Sequence, residues 1–211
     1  MENIVKIYSE RNSGNIYLEW LLKKNFDALI PDTPEYGWKH RIAPEKDELS
    51  EEILNSTCFI YLVKNPYSWL LSLHKRPYNH EELRKIRFSQ FIRVSFGDYR
   101  NPVVMWNRKT NSFLEFSRFA PRFLLVRYED IIEDFRDVLN RIADHFGWEK
   151  PELYRNITNL LTHSHGIKSR PFHRDFYLNE KWKESLRGAD IDHINTYLDH
   201  DLMRKLNYQI L

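Results

Sequence analysis

Three short apolar runs constrain the fold more than any other feature of this 211-residue chain. Residues 4–8, 57–63 and 123–127 are rich in β-branched or aromatic residues, which is typical of short strands buried on both faces. Helical patterns alternate with these runs, so their order predicts βαβ units and a mostly parallel sheet. We therefore predict a three-layer α/β/α domain, with helices on both faces of the sheet and a ligand site beyond the carboxyl ends of its strands.

The helical spacing of apolar residues predicts four helices and a helical tail, over residues 14–24, 66–75, 102–117, 130–146 and from 179 onwards. Pro66 and Pro102 suit a first helical turn, and Gly147 stands where a glycine commonly ends a helix. Gly188 is expected to interrupt the tail. Residues 36–40 are a weaker strand candidate, which follows the turn-like stretch PDTPEYG.

Composition narrows the class of protein. Hydrophobic residues make up 42% of the chain, a globular proportion, and no apolar run approaches the ~18 residues that a membrane span needs. The first ten residues lack the charged and apolar regions of a signal peptide. The single cysteine, Cys58, excludes disulfides within the chain and argues against a zinc cluster. We therefore expect one soluble, cytoplasmic domain over residues 1–211, with no metal site.

The charge of the chain is unevenly distributed. The net charge is only +2, yet residues 64–109 carry ten lysines and arginines against three acidic residues. A basic block within a nearly neutral protein favours a local anionic ligand over general nucleic-acid binding. An ordinary solvated face has the same composition, so charge alone leaves both interpretations open.

The turn after the first predicted strand is one candidate anion site, formed by Arg11, Asn12, Ser13, Gly14 and Asn15. Gly14 lets the backbone approach a ligand, and the helix start presents unpaired N–H groups. Arg11 adds a cation that can bind phosphate or sulfate with two hydrogen bonds. The Walker A pattern is absent, because the turn has one glycine and no following lysine, which disfavours an ordinary ATPase or GTPase. Alone, the turn is equally compatible with a helix cap that has no ligand.

Lys64 and Ser72 form a second candidate anion site. Lys64 directly follows the second predicted strand, Pro66 starts the next helix, and Ser72 lies two turns into it. A lysine at the tip of a strand and a hydroxyl on the facing helix can hold a phosphate group. The alternative is a solvated lysine and a serine used in packing.

Together and in this order, the two elements resemble the sulfotransferases that use 3′-phosphoadenosine-5′-phosphosulfate (PAPS). In that family a strand–loop–helix with an S-G or T-G pair, here ERNSGNIYL, holds the 5′-phosphosulfate. A basic residue with a serine eight positions on, here Lys64 and Ser72, holds the 3′-phosphate. The segments FLLVRYEDII and LDHDLMRKLNYQI resemble later parts of the family, so the likeness spans nearly the whole chain. It implies a P-loop-like fold, PAPS as donor, 3′,5′-adenosine bisphosphate (PAP) as product, and no metal.

The resemblance also assigns residues that bind the donor. They are Arg11, Asn12, Ser13, Gly14, Asn15, Ile16, Lys64 and Ser72, with Arg170 and Arg174 from an expected lid over residues 162–178. Two positions depart from the family. Asn12 replaces its usual lysine, so that Arg11 must carry that charge, and Lys64 replaces its usual arginine, which removes bidentate hydrogen bonding.

The stretch YGWKH supplies the candidate base. Histidine titrates near neutral pH and is the commonest general base, and family members carry a lysine and a catalytic histidine in a similar place. Neighbours on a strand point to opposite faces, so we expect only one of Lys39 and His40 to enter the site directly. We predict His40 as the base, Lys39 as a candidate contact of the sulfonate, and Arg11 as the residue that stabilises the leaving oxygen. The alternative is a surface histidine beside a lysine.

Other polar and aromatic residues receive structural interpretations. We expect Glu129 to be an ion-pair partner rather than a second base, and Trp106 and Trp182 to lie in the core or in the wall of the acceptor site. The remaining histidines of the expected lid, at positions 163, 165 and 173, have a spacing that fits no helical metal motif.

Three functions remain open on the sequence. The first is sulfuryl transfer from PAPS to a hydroxyl or amine of a small molecule, glycan or lipid. The second is a P-loop-like kinase of nucleotides or small molecules, and the third is a non-catalytic protein that binds anions or nucleic acid through the basic block. We favour the first, because the loop lacks a Walker lysine and the aromatic residues of the basic block have helix-core spacing. Neither the acceptor nor the oligomeric state follows from the sequence.

Overall fold

The computed structural model describes residues 3–157, 159–162, 168–171 and 174–211. The strands are β1 (Val5–Ser9), β2 (Cys58–Val63), β3 (Phe123–Arg127), β4 (Asn159–Thr162) and β5 (Lys168–Pro171). The helices are α1 (Asn15–Phe26), α2 (Glu51–Ser56), α3 (Pro66–Lys75), α4 (Phe88–Phe91), α5 (Pro102–Phe116), α6 (Tyr128–Glu133), α7 (Phe135–Phe146), α8 (Arg174–Leu178), α9 (Gly188–Tyr197) and α10 (His200–Lys205). Short 3-10 helices lie at Pro34–Tyr36, Glu81–Arg84 and Lys181–Ser185. Within the described ranges, no helix combines the length and apolarity that crossing a bilayer requires.

The central sheet consists of β1, β2 and β3 in that order, and both pairs of strands are parallel. At one edge Ser9 pairs with Leu62, and Val63 pairs with Arg127. The residues that follow the three strands therefore meet at the same edge of the sheet. The predicted parallel sheet is confirmed, and β4 and β5 form a separate antiparallel pair.

Helices cover both faces of the sheet, because alternate strand residues point to opposite sides. One face packs against α3, α5, α9 and α10 through Tyr8, Phe59, Tyr61 and Val63. The other packs against α1, α6 and α7 through Val5, Ile7, Cys58, Ile60, Leu62 and Val126. All residues of β1 and β2 are buried, whereas β3 is mostly half-buried. The predicted three-layer α/β/α architecture is confirmed.

The predicted helix boundaries hold where proline or glycine sets them. Pro66 and Pro102 each open a helix, and the preceding asparagines, Asn65 and Asn101, accept capping hydrogen bonds of 3.0 and 2.9 Å from backbone amides. Gly147 ends α7 in the left-handed conformation, with φ of 71°.

The prediction of one helix over residues 130–146 is wrong, because the helix is interrupted at Asp134. Its carboxylate accepts hydrogen bonds from the amides of Arg136 and Asp137, at 2.9 and 3.2 Å, and thereby caps the start of α7. The apolar spacing continues across the break, so it does not reveal the cap. The Asp134 side chain therefore bonds nearby backbone amides in place of a continuous helix.

The C-terminal tail is largely helical as expected, and it is interrupted directly before Gly188: residues 186–187 separate the 3-10 helix Lys181–Ser185 from α9, which Gly188 begins. A second break lies at Leu198, where α9 ends. Asp199 then accepts a hydrogen bond from the amide of Leu202 at 2.9 Å and caps α10.

The predicted strand over residues 36–40 is wrong. Pro34 opens a 3-10 turn, Gly37 ends it with φ of 64°, and residues 39 and 40 form a further turn. The amide of Ser9 nevertheless donates to the carbonyl oxygen of Lys39 at 3.0 Å. The segment therefore lies beside the end of β1 without forming a ladder.

The expected lid over residues 162–178 is described in part. Its described portions are the last residue of β4, the strand β5 and the helix α8. Residues 163–167 and 172–173, which include the three histidines of that segment, lie outside the described residues.

Candidate active site

The first loop, residues 10–14, leads from β1 into α1. Asn12 and Gly14 adopt the left-handed conformation, with φ of 64° and 90°, and the amide of Ser13 donates to the carbonyl oxygen of Glu10 at 3.3 Å. In the described part of the chain no hydrogen bond engages the amides of Gly14, Asn15 and Ile16. These N–H groups lie at the positive end of the α1 dipole, so they can bind an anion.

Glycine is required at position 14 for two reasons. Its backbone is left-handed, and an added Cβ would lie 2.5 Å from two ring carbons of Tyr128. Tyr128 directly follows β3 and is buried. The end of β3 therefore positions the Tyr128 ring, against which the first loop packs.

The guanidinium of Arg11 lies against two aromatic rings, 4.9 Å from the centre of Trp38 and 4.3 Å from that of Tyr78. Trp69 Nε1 donates to the carbonyl oxygen of Arg11 at 2.9 Å, and the Tyr78 hydroxyl donates to Asn12 Oδ1 at 3.4 Å. Arg11 forms no ion pair with any described residue. Its charge is held beside the loop and is not neutralised by a carboxylate there.

Lys64 and Ser72 are in direct contact, with Lys64 Nζ donating to Ser72 Oγ at 3.0 Å. Ser72 in turn donates to the carbonyl oxygen of Ser68 at 2.9 Å. Only 2% of Lys64 is exposed, and it forms no ion pair with any described residue. Burial lowers the pKa of Lys64, against the opposing influence of Tyr177 and Glu129.

The two candidate anion sites adjoin each other. Lys64 Nζ lies 3.4 Å from the carbonyl oxygen of Asn12 in the first loop. The strand tip and the loop therefore share a contact, and a single small ligand can reach both.

Two tyrosines for which the sequence predicted no role cover Lys64. The ring centres of Tyr128 and Tyr177 lie 4.9 and 4.1 Å from Lys64 Nζ, and Tyr177 Oη lies 3.4 Å from Ser72 Oγ. Burial would raise the pKa of Tyr177, but the charges of Lys64 and Lys75 and the hydrogen bonds with Lys64 and Ser72 together outweigh it, so the pKa is lowered. Tyr177 also lines a cavity of about 610 Å³ together with Trp182. The only sequence signal for Tyr128 is its place in the segment FLLVRYEDII, and the only one for Tyr177 is its place in the expected lid.

His40 is oriented by the main chain of β1. Its Nδ1 lies 2.7 Å from the carbonyl oxygen of Ser9. Because a carbonyl only accepts, we assign the proton to Nδ1, which leaves a lone pair on Nε2. The ring also meets Trp38 edge-on, with centres 5.1 Å apart. Burial lowers the pKa of His40 to about 4, and nearby cations act in the same direction. The imidazole is therefore neutral at neutral pH.

Lys39 and His40 reach different neighbours. Lys39 Nζ forms an ion pair of 2.9 Å with Glu19 Oε1 on α1, and the same carboxylate oxygen accepts from Asn15 Nδ2 at 3.3 Å. In this structure Lys39 thus contacts the flank of α1, whereas His40 contacts the end of β1.

A buried ion pair that no sequence pattern predicted lies beneath His40. Lys109 Nζ lies 2.7 Å from Glu10 Oε1 and donates to the carbonyl oxygen of His40, also at 2.7 Å. Burial raises the pKa of Glu10, against the charge of Lys109. Glu10 and Lys109 are far apart in sequence, and no spacing rule connects them.

The two arginines predicted for the lid have different surroundings. Arg170 lies in β5 and pairs in register with Leu160. Arg174 donates from Nε to the carbonyl oxygen of Ile132 at 2.6 Å and from Nη2 to that of Glu133 at 2.8 Å. Its guanidinium therefore binds the carboxyl end of α6, where a cation is favourable, and does not contact Lys64.

Glu129 and Trp106 support the backbone around Lys64. Glu129 is buried, and it accepts hydrogen bonds from the amide of Asn65 at 3.0 Å and from the hydroxyl of Tyr208 at 2.8 Å. Burial raises the pKa of Glu129. Trp106 Nε1 donates to the carbonyl oxygen of Lys64 at 3.1 Å. These hydrogen bonds fix the backbone of the residues that follow β2.

No group of three His, Cys, Asp or Glu side chains in the described ranges is placed to hold a metal ion. The histidines at positions 163, 165 and 173 lie outside those ranges.

Comparison with known proteins gives one family and a set of similar folds. The sequence model of a family described as a sulfotransferase domain matches residues 45–208. The chain superposes on retinol dehydratase in complex with retinol and PAP with a TM-score of 0.53 and 13% identity, over 97% of this chain and 82% of that one. It superposes on a sulfotransferase from Alicyclobacillus acidocaldarius with a TM-score of 0.51 and 10% identity, over 99% and 97%. At these identities the superpositions show the fold alone.

No curated protein matches the chain in sequence. The family match includes Lys64, Ser72 and Tyr128, and it begins after the first loop and His40.

Proposed function

Because the chain belongs to the sulfotransferase domain family, we propose that it transfers a sulfuryl group from PAPS to a hydroxyl or amine and releases PAP. The observation that carries this proposal is Lys64, a buried cation that touches both the Ser72 hydroxyl and the first loop. Burial of a cation without a carboxylate in contact is costly, and it is typical of a site for an anionic ligand. PAP is bound by retinol dehydratase, a protein of similar fold.

In the proposed complex the two ends of the donor occupy the two adjoining sites. Lys64 and Ser72 bind the 3′-phosphate. The 5′-phosphosulfate is bound by the first loop and the start of α1, through Arg11, Asn12, Ser13, Gly14, Asn15 and Ile16. Arg11 stabilises the bridging oxygen as negative charge develops on it.

Three further cations remain proposed contacts of the donor. Lys39 would have to leave Glu19 to reach the sulfonate, and Arg174 would have to leave the carbonyl oxygens of α6 to reach the 3′-phosphate. Arg170 is proposed for the same phosphate from its place in β5.

The proposed reaction is an in-line displacement at sulfur. A bond forms between the acceptor oxygen or nitrogen and sulfur, while the bond between sulfur and the bridging oxygen breaks and leaves its electron pair on PAP. His40 Nε2 takes the acceptor proton, and the Ser9 carbonyl oxygen stabilises the protonated ring through Nδ1. The anionic donor raises the pKa of this histidine in the complex, because a nearby negative charge favours the charged form.

A thermal-shift experiment separates the three functions that the sequence left open. PAP, ATP with Mg²⁺, and single-stranded DNA are added separately, since a ligand that binds only the folded state raises its melting temperature. We expect stabilisation by PAP without metal. Stabilisation by ATP with Mg²⁺ but not by PAP would refute the proposal in favour of a kinase, and stabilisation by DNA alone would favour a nucleic-acid-binding protein.

Activity tests the role of His40. PAP release from PAPS is measured with phenols, amines and sugars as acceptors, first for the wild type and then for His40→Ala. We expect kcat to fall by about 100-fold or more with PAP affinity nearly unchanged. His145→Ala is the matched control, because His145 also bonds a main-chain carbonyl, that of Phe123 at 2.9 Å, outside the site. Full turnover by His40→Ala would exclude this histidine as the base.

A further inference from the structure

His40 lies in a turn, so neither a strand nor a helix holds it in place. Its ring bonds the Ser9 carbonyl oxygen at 2.7 Å, and the Ser9 amide bonds the Lys39 carbonyl oxygen at 3.0 Å. The third bond comes from a separate element: Lys109 Nζ on α5 donates to the carbonyl oxygen of His40 at 2.7 Å. A general base must be placed to within a fraction of an ångström, so these three bonds determine whether it can act.

Lys109 also connects His40 to the first loop. Its Nζ pairs with Glu10 Oε1 at 2.7 Å, and only 10% and 6% of the two side chains are exposed. Glu10 is itself the first residue of that loop, directly after β1. A continuous link therefore runs from the first loop through Glu10 and Lys109 to the carbonyl oxygen of His40.

A buried ion pair is an inefficient way to stabilise a fold. The cost of removing two charges from water offsets much of their attraction, and two apolar residues of similar volume often stabilise the protein as well or better. The position of this pair, between the proposed donor loop and the proposed base, points to a role in the site.

We propose that Glu10 and Lys109 are positioning residues, which fix His40 relative to the first loop so that the base faces the reacting sulfur of a bound donor. This inference rests on the proposed function, since it takes His40 as the base and the first loop as the donor site. Lys109 acts through the main chain of His40 and does not itself touch the reacting atoms.

Lys6 provides a matched comparison, because it bonds the same segment as Lys109, residues 37–40. It is also a buried lysine, 2% exposed, and its Nζ donates to the carbonyl oxygen of Gly37 at 2.9 Å. The two lysines thus hold carbonyl oxygens three residues apart, but Lys6 has no contact with the first loop. If anchoring the segment were sufficient, Lys6 and Lys109 would matter equally.

The kinetic test compares Lys109→Met, Lys109→Arg and Lys6→Met. For Lys109→Met we expect kcat to fall by about 10-fold to 100-fold, while the Kd for PAP changes by less than about twofold. Lys109→Arg should restore most of the activity, because arginine can bond both oxygens, and Lys6→Met should lose less than about threefold. The proposal is overturned if Lys109→Met keeps full kcat, or if Lys6→Met loses as much.

A second measurement decides the inference even if PAPS proves not to be the donor. The ¹⁵N shifts of the His40 ring report its tautomer, with His40→Gln used to assign the signal. We expect a single Nδ1–H tautomer in the wild type and in Lys109→Arg, and a mixture of tautomers in Lys109→Met and in Glu10→Gln. If Lys109→Met does not fold, as judged by its melting curve, Glu10→Gln carries the test. An unchanged His40 tautomer in a folded variant would overturn the proposal, whatever the activity.

Discussion

Replacement of Lys64 by methionine tests whether this lysine serves a ligand or the fold. The change keeps the length of the buried stem and removes the charge. In the wild type the ammonium contacts Ser72 Oγ at 3.0 Å, the Asn12 carbonyl oxygen at 3.4 Å, and the rings of Tyr128 and Tyr177. Ser72 Oγ still donates to a main-chain carbonyl in the variant, so its hydroxyl proton is not left without a partner.

The expected effect on stability is small. Desolvation of the ammonium costs several kcal/mol. Hydrogen bonds to a charged group return about 1.5–3 kcal/mol each, and each cation–π contact about 0.5–2 kcal/mol. These contributions nearly cancel, so Lys64→Met should change the free energy of unfolding by less than about 1.5 kcal/mol in the absence of nucleotide. Removal of one partner of a buried ion pair would instead cost about 3–5 kcal/mol.

The expected effect on binding is large. Loss of a charge-assisted contact with the 3′-phosphate should raise the Kd for PAP by about 10-fold to 150-fold, equivalent to about 1.5–3 kcal/mol. Urea unfolding and isothermal titration calorimetry measure the two effects. Lys6→Met is the control, because Lys6 is equally buried and lies 5.6 and 5.5 Å from the ring centres of Tyr8 and Tyr36. A loss of more than about 3 kcal/mol of stability for Lys64→Met, or an unchanged Kd, would refute the reasoning.

Three further perturbations probe the rest of the site. Gly14→Ala should destabilise the protein by about 2–5 kcal/mol, because its Cβ would strain a left-handed backbone and displace the ring of Tyr128; a loss below about 1 kcal/mol in urea unfolding would contradict this. The pKa of His40 is about 4 in the folded state against 6.5 in a model peptide, so the free energy of unfolding should fall by up to about 3 kcal/mol as the pH falls from 6.5 to 4. Above pH 6.5 His40 is neutral in both states and this loss is absent. His40→Asn should lack the pH dependence in unfolding curves, and identical curves for wild type and variant would show that the pKa of His40 is not lowered. Tyr177→Ala removes the ring that lies on Lys64 and should tighten PAP binding by about 3-fold to 10-fold in calorimetry, because the phosphate no longer has to displace that ring; weaker binding would show that Tyr177 itself contacts the nucleotide.

The central sheet could be predicted to within one residue. The strands predicted at 4–8, 57–63 and 123–127 lie at Val5–Ser9, Cys58–Val63 and Phe123–Arg127. Strands enclosed by helices must be apolar along most of their length, so burial itself leaves a signal in the sequence. Helix and turn boundaries that are set by local hydrogen bonds leave a weaker signal in the sequence. For that reason the cap at Asp134 and the turn that contains His40 were not predicted.

The candidate site was predictable only where its residues are close in sequence. Lys64 and Ser72 are eight residues apart, on a strand tip and the helix that follows it, and their contact follows from that geometry. Glu10 and Lys109 come from distant elements and meet because the fold brings α5 under the end of β1, a contact that no periodicity encodes. Tyr177 lies in a segment without a regular pattern, so its packing on Lys64 emerges from tertiary structure alone.

The candidate site can form only if β2 and β3 pair in the correct register. Val63 pairs with Arg127, so Lys64 and Tyr128, the residues that follow them, lie side by side. Side chains alternate between faces, so a slip of β3 by one position would turn the Tyr128 ring away from Gly14 and bring the Arg127 charge toward Lys64. A misaligned sheet would therefore leave the first loop unsupported and set two cations against each other. The proposed binding of PAP would then report whether newly folded chains have their strands correctly aligned.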